Sequence, residues 1–176
     1  MEVVLFSGHM VDAPGRGQSR FPPDRVPDVR DDIAEAIRLI VDPEAWAVSG
    51  LACGGDLLFA DEWLKTGRRL QGHLPRHEAE FLDESVRFAG DEWVRLYRSV
   101  TDDPLVALVG PDADMLESDD PHSLNMQRML SAAGEDATEI HGLFLWDGQG
   151  GDGPGGTNDV IAALLEAGGS ITILRP

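Results

Sequence analysis

The segment Asp152-Gly-Pro-Gly-Gly-Thr-Asn-Asp159 combines residue types and spacing that suit a phosphorylated sugar. Glycines let backbone N–H groups approach a phosphate closely, and a helix starting directly after them adds donors and a partial positive charge. Gly155, Gly156 and Thr157 are the candidate phosphate donors, Asn158 suits a phosphate or a ribose hydroxyl, and Asp159 can accept from a ribose. A second turn of this kind, Ser49-Gly-Leu-Ala-Cys-Gly-Gly-Asp56, puts Ser49 and Gly50 at the end of one element and Gly54 and Gly55 at the start of the next. Asp56 is there either a ligand-facing carboxylate or a plain N-cap, which would contribute about 1 kcal/mol. The third candidate is Ser7-Gly-His-Met-Val-Asp12 with Arg16 and Arg20 behind it. His9 is placed to touch a ligand, Ser7 and Gly8 to line its wall, and arginine is the side chain that clamps phosphate bidentately.

Other chemistries find little in the chain. No Gly-Lys-Ser/Thr follows either glycine turn, and no GxGxxG follows the first apolar run, so neither a P-loop nor a dinucleotide fingerprint is present. His73 and His77 are four apart, but Pro75 between them argues against a shared helix face, and no metal-ligand set is read. The single Cys53 excludes an internal disulfide framework and a cysteine-rich zinc site, and with no base beside it reads as a passive thiol. Asp147, beside the second glycine segment, is the best-placed carboxylate for acid–base work. Glu62, Glu80 and Glu84 read as helix surface, and Trp146 suits either a core or a stacking role. No cofactor is implied.

The elements that must position these residues follow from apolar periodicity. Strands are expected at 2–7, 45–49, 69–74, 105–109, 140–146 and 170–174, as short apolar runs bounded by Gly, Pro or Asp. Helices are expected at 28–41, 56–66, 78–86, 89–100, 121–137 and 157–167; Val29, Ile33, Ile37 and Ile40 share a face of the first, which Pro43 closes. In the helix from Pro121, Leu124, Met126, Met129, Leu130 and Ala133 are read as mostly inward, and 112–120 is read as an acidic loop. Alternating strands and helices predict an α/β fold, a mainly parallel sheet with helices on both faces. Ligands of such sheets sit beyond the carboxyl ends of the strands, where the loops after Ser7, Ser49 and Trp146 would meet.

A length of 176 residues fits one domain, with 42% hydrophobic residues to build its core. The formal charge of −18 excludes general nucleic-acid binding and docking on an anionic membrane, but not a small anionic ligand held by local donors. No run reaches the length of a membrane span and the first residues lack a basic, signal-like stretch, so a cytoplasmic protein is expected.

SGLACGGDLLFAD resembles the Gly-Ala-Asp turn of the SLOG superfamily, and PGGTND its second glycine motif. SGHMVD, RFPP, LPRHEAEFLDESV and WDGQGGDGPGGTNDV extend the similarity over most of the chain. The superfamily groups LOG-type phosphoribohydrolases, DprA-like proteins and nucleotide-sensing domains. The resemblance implies a Rossmann-like three-layer fold, a nucleotide or nucleotide-derived ligand, and pairing into a homodimer. It also implies a departure. LOG-type hydrolases carry Pro-Gly-Gly-x-Gly-Thr-x-x-Glu, whereas here Val160 occupies the glutamate position. A binding or sensing role is therefore expected ahead of N-glycosidic hydrolysis of a nucleoside monophosphate. In the hydrolase alternative Asp159 or Asp147 would activate water.

Overall fold

The computed structural model describes residues 1–135, 137–149 and 157–176. They form a Rossmann-like three-layer α/β/α fold around a six-stranded sheet, every strand parallel. In chain order the elements are β1 (Glu2–Gly8), α1 (Val26–Arg38), β2 (Trp46–Ser49), α2 (Gly55–Leu64), β3 (Leu70–His73), α3 (Glu78–Ser85), α4 (Asp91–Thr101), β4 (Val106–Val109), α5 (Ala113–Glu117), α6 (Pro121–Glu135), β5 (Glu139–Leu145), α7 (Thr157–Glu166) and β6 (Ser170–Leu174). The sheet order is β4-β3-β2-β1-β5-β6.

β1 shows why the sheet is parallel and doubly covered. Val3, Val4, Leu5 and Phe6 are all fully buried, so its sequence is a continuous apolar run rather than an alternation. Val4 and Phe6 enter one core with α1, α2 and α4, while Val3 and Leu5 enter the other with α6 and α7. β2 and β5 divide likewise, Ala47, Leu143 and Leu145 to the first core and Trp46, Val48 and Phe144 to the second. The first core is braced by an aromatic stack, Phe6 on Phe59 at 4.4 Å and Phe59 on Trp63 at 5.5 Å between ring centroids. The Trp63 indole N–H donates to the Arg69 carbonyl at 2.9 Å, which satisfies its one polar atom.

Several expected boundaries move. α1 spans Val26–Arg38, with Pro27 in its first turn, where a missing N–H costs nothing, and it ends before Pro43. The segment 112–120, read as loop for its acidity, contains α5: the Asp112 carboxylate caps it by accepting from the Met115 N–H, and Met115 is buried. On α6 the inward stripe is Pro121, Asn125, Met129 and Ala133, an i, i+4 series with an asparagine where an apolar residue is expected; Leu124 is only half-buried. Among the described residues no helix is long and apolar enough to cross a membrane.

Candidate functional site

From β1 the chain builds outward to β2, β3 and β4, then returns to the other side of β1 with β5 and β6. The direction therefore switches between β1 and β5, whose last residues, Gly8 and Leu145, pair. Loops leaving two such strands part toward opposite helical layers and leave a crevice between them.

The turn after β2 closes one side of this crevice and holds two unusual backbone conformations. Leu51 has φ +63° and Gly54 φ +95°. Leu51 is held in this left-handed state by complete burial of its side chain in the first core. Gly54 precedes α2, and the Gly55 N–H donates to the His9 carbonyl at 3.0 Å, tying the turn to the β1 loop.

Asp56 lies in the first turn of α2 rather than at its N-cap, which is Gly54, and its carboxylate serves two strand ends. Oδ1 accepts from the Gly8 N–H at 2.9 Å and Oδ2 from the Ala52 N–H at 3.3 Å. Burial raises its pKa to about 7, against the two backbone donors, which favour the charged form less than desolvation opposes it. The folded state thus keeps this proton from the ordinary 3.8 up to about 7, where the unfolded chain has lost it. Stability from this group falls as pH rises through that window, by roughly 4 kcal/mol in all. Buried His73, whose pKa falls to about 4 by desolvation and the Arg128 charge, acts oppositely between about 4 and 6.5. The wild-type profile sums both. Urea denaturation at pH 5 and pH 7.5 should show Asp56→Asn gaining stability relative to wild type at the higher pH, by roughly 3 kcal/mol. A gap that does not change with pH would mean that Asp56 is ionised throughout.

A cavity of about 190 Å³ opens beside Asp56. Ser7, Gly8, Gly50 and Asp56 line it from the strand ends, Phe81 and Ser85 from α3, His122, Asn125, Met126 and Met129 from α6, and Val160 from α7. No lysine or arginine is among its lining residues. Ser49 is fully buried at the end of β2, and its hydroxyl has no hydrogen-bond partner among the described residues. A larger groove of about 640 Å³ lies elsewhere, between α1, α2 and α4, with walls that include Val26, Leu58, Phe88 and Trp93.

The candidate phosphate clamp and the candidate catalytic carboxylate meet each other. Arg20 Nε and Nη2 donate to Asp147 Oδ2 and Oδ1 at 2.9 and 3.0 Å, a bidentate pair. His9 Nε2 lies 3.1 Å from Asp147 Oδ1, the Gln149 N–H donates to the same oxygen, and Arg20 also reaches the Gln149 carbonyl. Arg20, desolvation notwithstanding, holds the Asp147 carboxyl well below the usual carboxylate range, with Gln149 and His9 adding to this. A carboxylate so stabilised is a weak general base at neutral pH. Asp12 organises the same loop, accepting from Ser19 Oγ and from the N–H groups of Arg20 and Phe21, with Arg16 Nε 3.6 Å away. The cluster latches the β1 loop to the β5 loop.

Ser7, Gly8, Gly50 and Asp56 thus share one cavity, with Gly54 and Gly55 behind them, while His9, Arg20 and Asp147 form a separate latch. Thr157 begins α7, and Asn158, exposed, and Asp159, half-buried, follow in its first turn. Gly155 and Gly156 lie outside the described residues. Sequence reasoning did not single out Asn125 or His122 and read Met126 and Met129 only as inward-facing; the available signal was an asparagine at i, i+4 spacing from Pro121 and Met129.

No protein-family model matches the chain, and no curated protein matches it either.

Proposed function

We propose that the chain binds a nucleotide or nucleotide-derived signal as a sensor or regulatory domain of the SLOG type, working as a homodimer. The observation that supports this most is the cavity beyond the carboxyl ends of β1, β2 and β3, walled in part by the turn that holds the strained Leu51 and by a buried carboxyl. Strain and buried polar groups concentrate at ligand sites because they cost stability elsewhere. At about 190 Å³ the cavity suits part of a nucleotide, the remainder extending toward the start of α7, where Val160 adjoins it. Binding rather than turnover is favoured. Val160, where LOG-type hydrolases have glutamate, is 3% exposed on the cavity wall, and Asp147 is engaged by Arg20.

Native mass spectrometry of the protein with a pool of ribonucleotides tests this. The expected spectrum is a dimer carrying an intact nucleotide, with the adduct lost in Met126→Trp, which fills the cavity from a half-buried position on α6. Free base and ribose phosphate in the pool would replace this reading with the hydrolase. A wild-type spectrum with no adduct would remove nucleotide binding altogether, and an adducted monomer would remove the dimer alone.

A further inference from the structure

Apart from Asp56, the described residues lining the cavity include no carboxylate, lysine or arginine, and several are thioethers or phenyl rings. Phe6, Phe81, Met10, Met126 and Met129 give it apolar surface, and the Asp56 oxygens already accept from backbone N–H groups. A phosphate would find no lysine or arginine there. A flat heterocycle suits it: thioethers and phenyl rings pack on its faces, and its polar edge needs only a partner or two. A space of about 190 Å³, some six water volumes at ~30 Å³ each, holds a bicyclic ring but not a whole nucleotide.

Asn125 offers the partner. It is 6% exposed, on α6, and lines the cavity. Its amide nitrogen donates to the His73 carbonyl at 3.2 Å and lies 3.8 Å from Met129 Sδ. A carbonyl can only accept, so this contact fixes which way the amide faces. Oδ1 is buried and has no hydrogen-bond partner among the described residues. A buried acceptor in that state is destabilising, and the loss is recovered when a donor arrives.

We propose that this cavity receives the nucleobase of the ligand and that Asn125 Oδ1 accepts a hydrogen bond from an N–H or amino group on the base edge. The proposal rests on the nucleotide-binding reading. Asn125 then selects donor-bearing rings, and the phosphates lie outside this cavity.

Calorimetric titration of the full chain with adenosine, guanosine and cytidine 5′-monophosphates, and with purine ribonucleoside 5′-monophosphate, whose ring bears no N–H, tests it. The tightest natural nucleotide should bind at least about tenfold more strongly than the donor-free analogue. In Asn125→Leu that ratio should fall to within about threefold, chiefly by weakening the natural nucleotide. Equal wild-type affinities would overturn the inference while leaving the nucleotide reading intact; Oδ1 would then be satisfied by a buried water. An unchanged ratio in Asn125→Leu would overturn the role of this residue. Should that variant not fold, the wild-type ratio alone decides. If none of the four nucleotides binds, the underlying reading fails and the inference goes with it.

Discussion

Replacing Gly54 by alanine should destabilise the protein by more than about 4 kcal/mol, enough to abolish a cooperative native state in a domain of ordinary stability. Two effects combine. At φ +95° any side chain is strained, and a Cβ here would lie 2.5 Å from the Val11 nitrogen and 2.6 Å from the His9 carbonyl oxygen. Both obstacles are backbone, in the segment that carries His9 and leads toward Asp12, so neither can step aside as a side chain would. Relief would require the β1 loop to lift off α2, breaking the Gly55 N–H to His9 bond. Gly67→Ala is the matching control. Gly67 also has a positive φ, +75°, but a Cβ there meets nothing within 4 Å, so it should cost only about 1–2 kcal/mol. Urea denaturation of both variants separates the clash from the dihedral. Equal costs would show that the β1 loop yields freely.

Asp147→Ala should cost about 3 kcal/mol, at the low end for a broken buried ion pair. The Arg20 side chain is 7% exposed and Asp147 16%, so the pair lies largely out of water. Loss of the carboxylate removes both guanidinium bonds and the acceptor for the Gln149 N–H; Arg20 keeps its bond to the Gln149 carbonyl, which moderates the cost. The double variant Arg20→Met, Asp147→Leu should be markedly more stable than Asp147→Ala, because no cation is then held in that site. A double-mutant cycle by urea denaturation, closed with the single variants Arg20→Met and Asp147→Leu, measures the coupling, expected near 2–3 kcal/mol. Coupling near zero would mean that the two loops are held together by other contacts. The cycle also bears on mechanism: retained nucleotide binding in the double variant would show that Arg20 latches the loops rather than holds phosphate.

Much of this architecture was legible from composition and periodicity. β1 and β5 announce themselves because a strand buried on both faces must be a continuous apolar run. β4 is less plain, since Ala107 and Leu108 are exposed on an edge strand and carry no such signature. α5 was hidden by charge: acidic residues read as solvated loop, yet Asp112 is where a helix cap belongs and Met115 supplies the one inward contact. A cavity beyond the strand ends beside the turn after Ser49 was legible as a place, because parallel sheets open there. Its chemistry was not. Arg20 and Asp147 are separated by 127 residues, and nothing local says that they neutralise each other. Asp56 reads as a helix cap until the tertiary fold carries Gly8 to its carboxylate. Asn125 sits among Leu and Met in a helical pattern, and only the packing of α6 over β1 and β2, which brings it to the His73 carbonyl at the end of β3, decides that it faces inward.

The position of β1 at the centre of the sheet bears on how the protein is made. Its left neighbour, β2, follows within about forty residues, but its right neighbour, β5, begins only at Glu139. During synthesis β1 therefore emerges well before its second partner, with residues 9–138 translated between the two. Throughout that interval the edge of its most apolar segment, Val3 to Phe6, has no strand beside it, the circumstance in which nascent chains pair with one another instead. Closure across so long a separation in sequence is also a slow kind of contact to form. A ribosome-bound chain stopped before residue 139 thus presents one unpaired edge of β1 until β5 arrives.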